Sequence, residues 1–297
     1  MSLPYTVTIT EVSPRDGLQD EKTIVSTENK LKFIHLLADA GLSHIEATSF
    51  VSPKRIPALA DHNEVMRALP SDTRTQYSAL IPNTQGLKNA MQAGCKHIAV
   101  FTTVSETFAQ KNIQCSISES LQRITEVIAI AKPAKITIRG YISCTLGCPY
   151  EGLIAIEKTA QLAKQLLAMG CDEIALADTI GTGTPKITQE LIQAVTRFVP
   201  IEKIAIHFHD TYGQAIANIY AALTLGVAKI DSSVGGLGGC PYAKGASGNV
   251  ATEEVLYLLN GLNIHTGVDL NKIIRASDFI HAQLDHPTRS KVAMQWP

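Results

Sequence analysis

His207 and His209 stand two residues apart at the end of the apolar run Ile204-Ala205-Ile206-His207-Phe208-His209-Asp210. On a β-strand successive side chains alternate faces, so these two imidazoles point the same way. Two neutral imidazoles converging on one point make half of a metal site. An isolated pair of this kind more often reads as two polar residues at a strand end, satisfied by their neighbours. Here other stretches of the chain supply matching oxygen donors. Asp16 lies in Glu11-Val12-Ser13-Pro14-Arg15-Asp16-Gly17-Leu18-Gln19, and Asn249 closes a glycine-rich run that starts at Gly235. Asp16, His207, His209 and Asn249 offer an O, N, N, O set without a thiolate. Such a set suits six-coordinate Mg²⁺ or Mn²⁺, with positions left for substrate oxygens. Zinc is also compatible with His and Asp donors.

Further groups surround this set. Arg15, next to Asp16, brings a planar cation to a developing oxyanion, the alternative being a surface ion pair. Glu46 either orients Arg15 or contacts substrate. Asp178 either orients a ligand histidine from behind or caps the helix that follows it. The segment 235–248 holds six glycines among fourteen residues, so it can move and approach a ligand closely. It does not fit the phosphate-binding G-x-x-x-x-G-K-[ST] pattern, because Lys244 precedes Gly245. Cys240, at the centre of this flap, is a candidate acid or base carried in on closure.

A repeated signal tells which elements must hold these residues. Four times a helix-like stretch ends in Gly, with Ile four positions on: Gly41/Ile45, Gly94/Ile98, Gly170/Ile174 and Gly226/Ile230. Glycine just past a helix end accepts the left-handed cap conformation, and a short connection then enters a buried strand. Leu31, Ile34 and Ala38 follow helical spacing before Gly41, with Ser26 or Thr27 as N-cap. Residues 161–169 and 214–225 read as helix in the same way. Further strands are expected at Val7–Ile9, Thr75–Leu80, Lys135–Ile142 and Ile204–Phe208. Eight strands alternating with helices predict one (β/α)₈ TIM barrel over residues 1–297, ending in a short helical segment. A doubly wound open sheet is the alternative. The barrel is preferred because polar residues follow nearly every strand, as the catalytic face of a barrel requires.

Composition narrows the partners. The 297 residues carry 26 basic and 27 acidic side chains and only 5% aromatics. That balance argues against nucleic acid or an anionic membrane as partner. No apolar run approaches a membrane span, and the N-terminus lacks signal-peptide character. Six scattered cysteines fit no zinc or disulfide framework. A cytoplasmic, reducing setting is expected.

Glu11 to Gln19, Ser49 to Lys54, Tyr141 to Gly152, His207 to Gln214 and Gly235 to Asn249 closely resemble the 3-hydroxy-3-methylglutaryl-CoA lyase family. The resemblance runs over essentially the whole chain, and its last segment is specific to that family. It implies a (β/α)₈ fold and a divalent metal held by Asp16, His207, His209 and Asn249. It also implies Arg15 and Cys240 as catalytic, Glu46 and Asp178 as supporting, and a proton-transfer role for His207. The implied reaction cleaves an acyl-CoA thioester, 3-hydroxy-3-methylglutaryl-CoA, to acetyl-CoA and acetoacetate, and a homodimer is the expected assembly. Two departures stand out. Ala177 precedes Asp178 where the family usually has Gly, and Arg55 follows Lys54 where an aromatic is common. The alternatives are a lyase for a longer-branched 3-hydroxyglutaryl-CoA, a Claisen-type synthase of the same superfamily, and a non-enzymatic metal-binding protein.

Overall fold

Parallel strands and surrounding helices alternate along the chain in a computed structural model that describes residues 3–70, 74–239 and 248–297. The strands among the described residues are β1 (Thr8–Glu11), β2 (His44–Ser49), β3 (Gln76–Leu80), β4 (His97–Thr103), β5 (Thr137–Ser143), β6 (Glu173–Asp178), β7 (Ile204–Phe208) and β8 (Lys229–Ser232). The first helices are α1 (Thr27–Asp39), α2 (His62–Ala68), α3 (Thr84–Gln92), a single turn α4 (Glu106–Phe108) and α5 (Ile117–Ala131). They are followed by α6 (Ile156–Met169), α7 (Pro185–Val195), α8 (Ala215–Leu223), α9 (Thr252–Gly261), α10 (Leu270–Leu284) and α11 (Lys291–Gln295). Each strand pairs in parallel with the next, and β8 returns to β1 with Thr8 opposite Lys229. That closure makes the sheet a TIM barrel and rules out the open doubly wound sheet.

The four Gly/Ile pairs explain half of the ring. Gly41, Gly94, Gly170 and Gly226 have φ of +100°, +89°, +118° and +95°, a region that side chains with a Cβ rarely enter. Their isoleucines sit on β2, β4, β6 and β8 and belong to the apolar layer between strands and helices. Because side chains alternate, the neighbours of those isoleucines face the barrel axis. There Leu80, Ala99, Tyr141, Ala175 and Ala205 form a small inner cluster. The same alternation turns Ile204, Ile206 and Phe208 outward into the helix layer. His207 and His209 are thereby aimed inward at the C-terminal end of the strands.

Helix α1 starts as expected, with the Ser26 hydroxyl accepting from Asn29 N–H at 3.3 Å. Its buried stripe is Phe33, Ile34 and Leu37, while Leu31 and Ala38 lie at the stripe's edge. Strand β5 starts two residues later than the apolar pattern suggests, because Lys135 takes φ +57° and closes a turn. The C-terminal α10 packs on α1 beyond the barrel's eighth helix α9, tied by Asp269 N–H to Ala40 O at 2.8 Å.

Candidate active site

After β1 the chain makes one wide helical turn, Ser13–Gly17, with Pro14 in its first positions. The carbonyl of Val12 accepts from the amides of Arg15, Asp16 and Gly17 at 3.1, 2.8 and 3.2 Å. This turn carries Arg15 and Asp16 over the mouth. Asp16, His207 and His209 each place one donor atom within 4.8 Å of the others. His207 Nε2 is 3.9 Å from Asp16 Oδ2. Nδ1 of His209 is buried and has no hydrogen-bond partner, an orphan that a bound cation would satisfy. Burial, with His207 and Arg15 adding to it and Asp16 opposing, pulls His209 down to about 4. Burial alone would raise the Asp16 carboxyl, but Arg15, the two histidines and the Asn249 amide hold it well below the usual range. An anionic carboxylate and a neutral imidazole are the ligand forms a divalent cation needs, so these residues fit the metal.

Asn249 reaches the same place from the other side. Its backbone bridges to His209, and its Nδ2 donates to Asp16 Oδ2 at 2.8 Å and to Leu237 O at 3.1 Å. The approach depends on Gly238, where a Cβ would lie 2.7 Å from that nitrogen. The carboxamide thus turns its nitrogen to Asp16. Giving an oxygen to a cation, as the sequence suggests, requires it to rotate.

Arg15 lies between two carboxylates: its Nε donates to Glu46 Oε1 and its Nη1 to Asp16 Oδ1. It is 6% exposed and Glu46 1%, so the ion pairs are held away from water. Burial would lower the guanidinium, yet Asp16 and Glu46 raise it, and it stays charged. The Glu46 carboxylate thus holds Arg15 Nε through one oxygen, with the Tyr141 hydroxyl 3.4 Å from the other. Asp178 does something else. Its carboxylate accepts from Thr182 N–H at 3.2 Å and Gly183 N–H at 2.8 Å. Burial pushes this carboxyl up to about 6. Its side chain braces the loop ahead of α7, and only its backbone carbonyl meets a histidine, accepting from His209 N–H at 3.3 Å.

The carboxylate behind His207, a candidate ligand, is Asp231, which the sequence reading did not single out. His207 Nδ1 is 3.2 Å from Asp231 Oδ2. Asp231 also accepts from Arg139 Nη2 at 2.6 Å and from the Tyr141 hydroxyl at 3.0 Å. A proton fixed on Nδ1 leaves Nε2 free to face Asp16. The available signal was alternation on β8, where outward Ile230 places Asp231 inward. Asp231→Asn keeps the volume but must turn its NH₂ towards Arg139 or His207. Metal affinity is expected to fall about 10- to 100-fold, as measured by Mn²⁺ titration. Unchanged affinity would remove Asp231 from this role.

These groups open into a cavity of about 590 Å³ whose outer wall includes Arg55, Gln114 and Arg123. Cys144, at the end of β5, is buried, with φ +63°, and burial pushes its thiol up to about 12. A thiol so placed stays protonated at neutral pH. Cys240 and its flanking residues 241–247 lie outside the described residues.

Residues 6–280 match the family model described as HMGL-like. The chain belongs to the HMGL-like family. It is 54% identical over 292 residues to the mitochondrial hydroxymethylglutaryl-CoA lyase of Mus musculus, covering 98% of this chain and 90% of that one. The crystal structure of hydroxymethylglutaryl-CoA lyase from Pseudomonas aeruginosa superimposes with a TM-score of 0.97 at 51% identity, covering 99% of this chain and 98% of that one. An HMG-CoA lyase solved in complex with coenzyme A and 3-methylmalate is 35% identical, with a TM-score of 0.94 and coverage of 100% of this chain and 97% of that one. As a member of the HMGL-like family the chain is a lyase. Among its described residues no helix is long and apolar enough to cross a membrane.

Proposed function

We propose that this chain cleaves 3-hydroxy-3-methylglutaryl-CoA to acetyl-CoA and acetoacetate, with residues 1–297 acting as one catalytic unit. The observation that carries the reading is the convergence of Asp16, His207 and His209 beside a doubly anchored Arg15. Bound by Asp16, His207, His209 and, once its carboxamide is turned, Asn249, Mg²⁺ or Mn²⁺ would acidify the tertiary hydroxyl of the substrate. As that hydroxyl loses its proton, the carbon–carbon bond breaks and its electron pair moves into the thioester enolate. Arg15, already oriented by Glu46, stabilises the enolate oxygen and pays no reorganisation cost. A proton delivered to the enolate carbon then completes acetyl-CoA, and the other fragment leaves as acetoacetate. Cys240 is the residue we assign to that delivery. His207 serves the hydroxyl side as a ligand oriented by Asp231; with Nδ1 protonated and Nε2 on the cation, it leaves the hydroxyl proton to pass to solvent water. The coenzyme A arm would lie along the cavity towards Arg55 and Arg123.

Purified protein incubated with Mg²⁺ and 3-hydroxy-3-methylglutaryl-CoA is expected to release acetoacetate; none released would overturn the reading. Cys240→Ala is expected to lower kcat about 10²-fold or more, the range for losing a proton-transfer group. KM should hold, because the thiol acts on the intermediate. A variant with wild-type kcat would exclude the thiol as the proton donor. We further propose a homodimer working in the cytoplasm. The described cysteines are free and buried, in keeping with a reducing compartment, and sedimentation of the purified protein tests the dimer.

A further inference from the structure

Glu11 ends β1 with its side chain fully buried, and its carboxylate ties together parts of the chain that are remote in sequence. Oε1 accepts from Ser13 N–H and from Val234 N–H, each at 3.0 Å. Oε2 accepts from the Thr252 hydroxyl at 2.6 Å, and Thr252 Oγ1 lies 2.8 Å from Ser232 Oγ. Ser13 opens the turn that presents Arg15 and Asp16. Val234 leaves β8, and Thr252 begins α9 just after Asn249. The same junction is laced by Ser233 N–H to Val250 O at 3.0 Å and Thr252 N–H to Ser233 O at 3.2 Å. With three hydrogen-bond partners and no exposed surface, the Glu11 carboxylate is closed off from a substrate.

We infer that Glu11 is a positioning residue: it sets the register between the Arg15–Asp16 turn and the segment bearing Asn249. Through it, Asp16 and Asn249 meet although they are 233 positions apart in sequence. This rests on the reading of those two residues as metal ligands. An apolar residue at position 11 would strand two buried amides and a hydroxyl, each at a desolvation cost. Burial raises the Glu11 carboxyl, with its hydrogen bonds working the other way.

The geometry makes the two conservative replacements behave oppositely. Glu11→Gln retains the reach. Its Oε1 can accept both amides while its Nε2 donates to Thr252 Oγ1, and the Thr252 hydroxyl, free to rotate, then donates to Ser232. Glu11→Asp retains the charge but is one methylene shorter, so it cannot span Ser13, Val234 and Thr252 together. A residue acting by proton transfer or charge would show the reverse order.

Three readouts apply to wild type, Glu11→Gln and Glu11→Asp: amide hydrogen exchange, Mn²⁺ titration of metal-free protein, and steady-state cleavage. Glu11→Asp is expected to speed exchange at 13–17 and 249–252 together, to weaken Mn²⁺ binding, and to lower kcat/KM about 10²-fold, the scale of a 1 Å misplacement. Glu11→Gln should stay close to wild type in all three. If Glu11→Asp fails to fold, Thr252→Val removes the hydroxyl that ties Glu11 and Ser232 to α9, leaves both amides on Glu11, and should loosen 249–252 while weakening Mn²⁺ binding. Gln losing function while Asp keeps it would overturn the inference, as would Asp or Val leaving both segments unchanged. Absence of cleavage by the wild type would refute the proposed reaction, and the exchange and Mn²⁺ measurements would still decide the role of Glu11.

Discussion

Removal of divalent metal by a chelator is expected to abolish cleavage, and Mg²⁺ or Mn²⁺ to restore it. The reason lies in the protonation states at the mouth. Asp16 is held anionic by Arg15 and the histidines, and His209 is held neutral by burial. Asp16 and His209 are thus in the ligand forms a cation takes. His209→Ala removes the imidazole whose Nδ1 has no protein partner, so no protein hydrogen bond at that nitrogen is lost. The variant should fold, yet lose more metal affinity than the 10- to 100-fold expected when only a supporting contact is lost. Elemental analysis and activity in excess chelator check both statements. Full activity with no metal in the sample would sink this account.

Arg15→Lys is the second large effect. Lysine keeps the positive charge but replaces a planar fork with a single point donor. One ammonium group kept beside Asp16 cannot also reach Glu46 and still face an enolate oxygen. If Arg15 meets charge that develops only in the transition state, kcat falls while KM changes little. The expected loss is about 10²- to 10³-fold. Metal affinity should stay nearly unchanged, since Arg15 is not a ligand and Asp16 keeps a cation beside it. Intact kcat, or a defect confined to metal binding, would place the oxyanion's stabilisation elsewhere.

Features with a fixed period were readable in the sequence. The four Gly/Ile pairs set αβ loops and strand faces because both depend on local backbone geometry. For the same reason H-x-H on β7 announced two imidazoles on one side. The partner of His207 was not readable. It depends on β7 and β8 aligning so that His207 lies opposite Asp231, and nothing local to either strand fixes that offset. Asp178 was left between orienting a histidine and capping the next helix, whereas its carboxylate accepts from the loop amides of Thr182 and Gly183. Glu46 was left between two roles because only the fold shows that Arg15 Nε reaches it. The orientation of the Asn249 carboxamide is likewise a matter of tertiary neighbours.

The pairing of β1 with β8 has a consequence for the order of events at birth. Thr8 finds Lys229 only after some 220 intervening residues have been made, and contacts of such long range form late and slowly. The ligand set follows the same calendar: Asp16 is synthesised early, the two histidines much later, and Asn249 after the last strand. A nascent or partly folded chain therefore offers a cation only fragments of a site. Metal that binds the closed ring alone draws the folding equilibrium towards closure by mass action. Closure at the seam between first and last strand is thus the step that removes the sheet's open edges and brings Asp16 to Asn249.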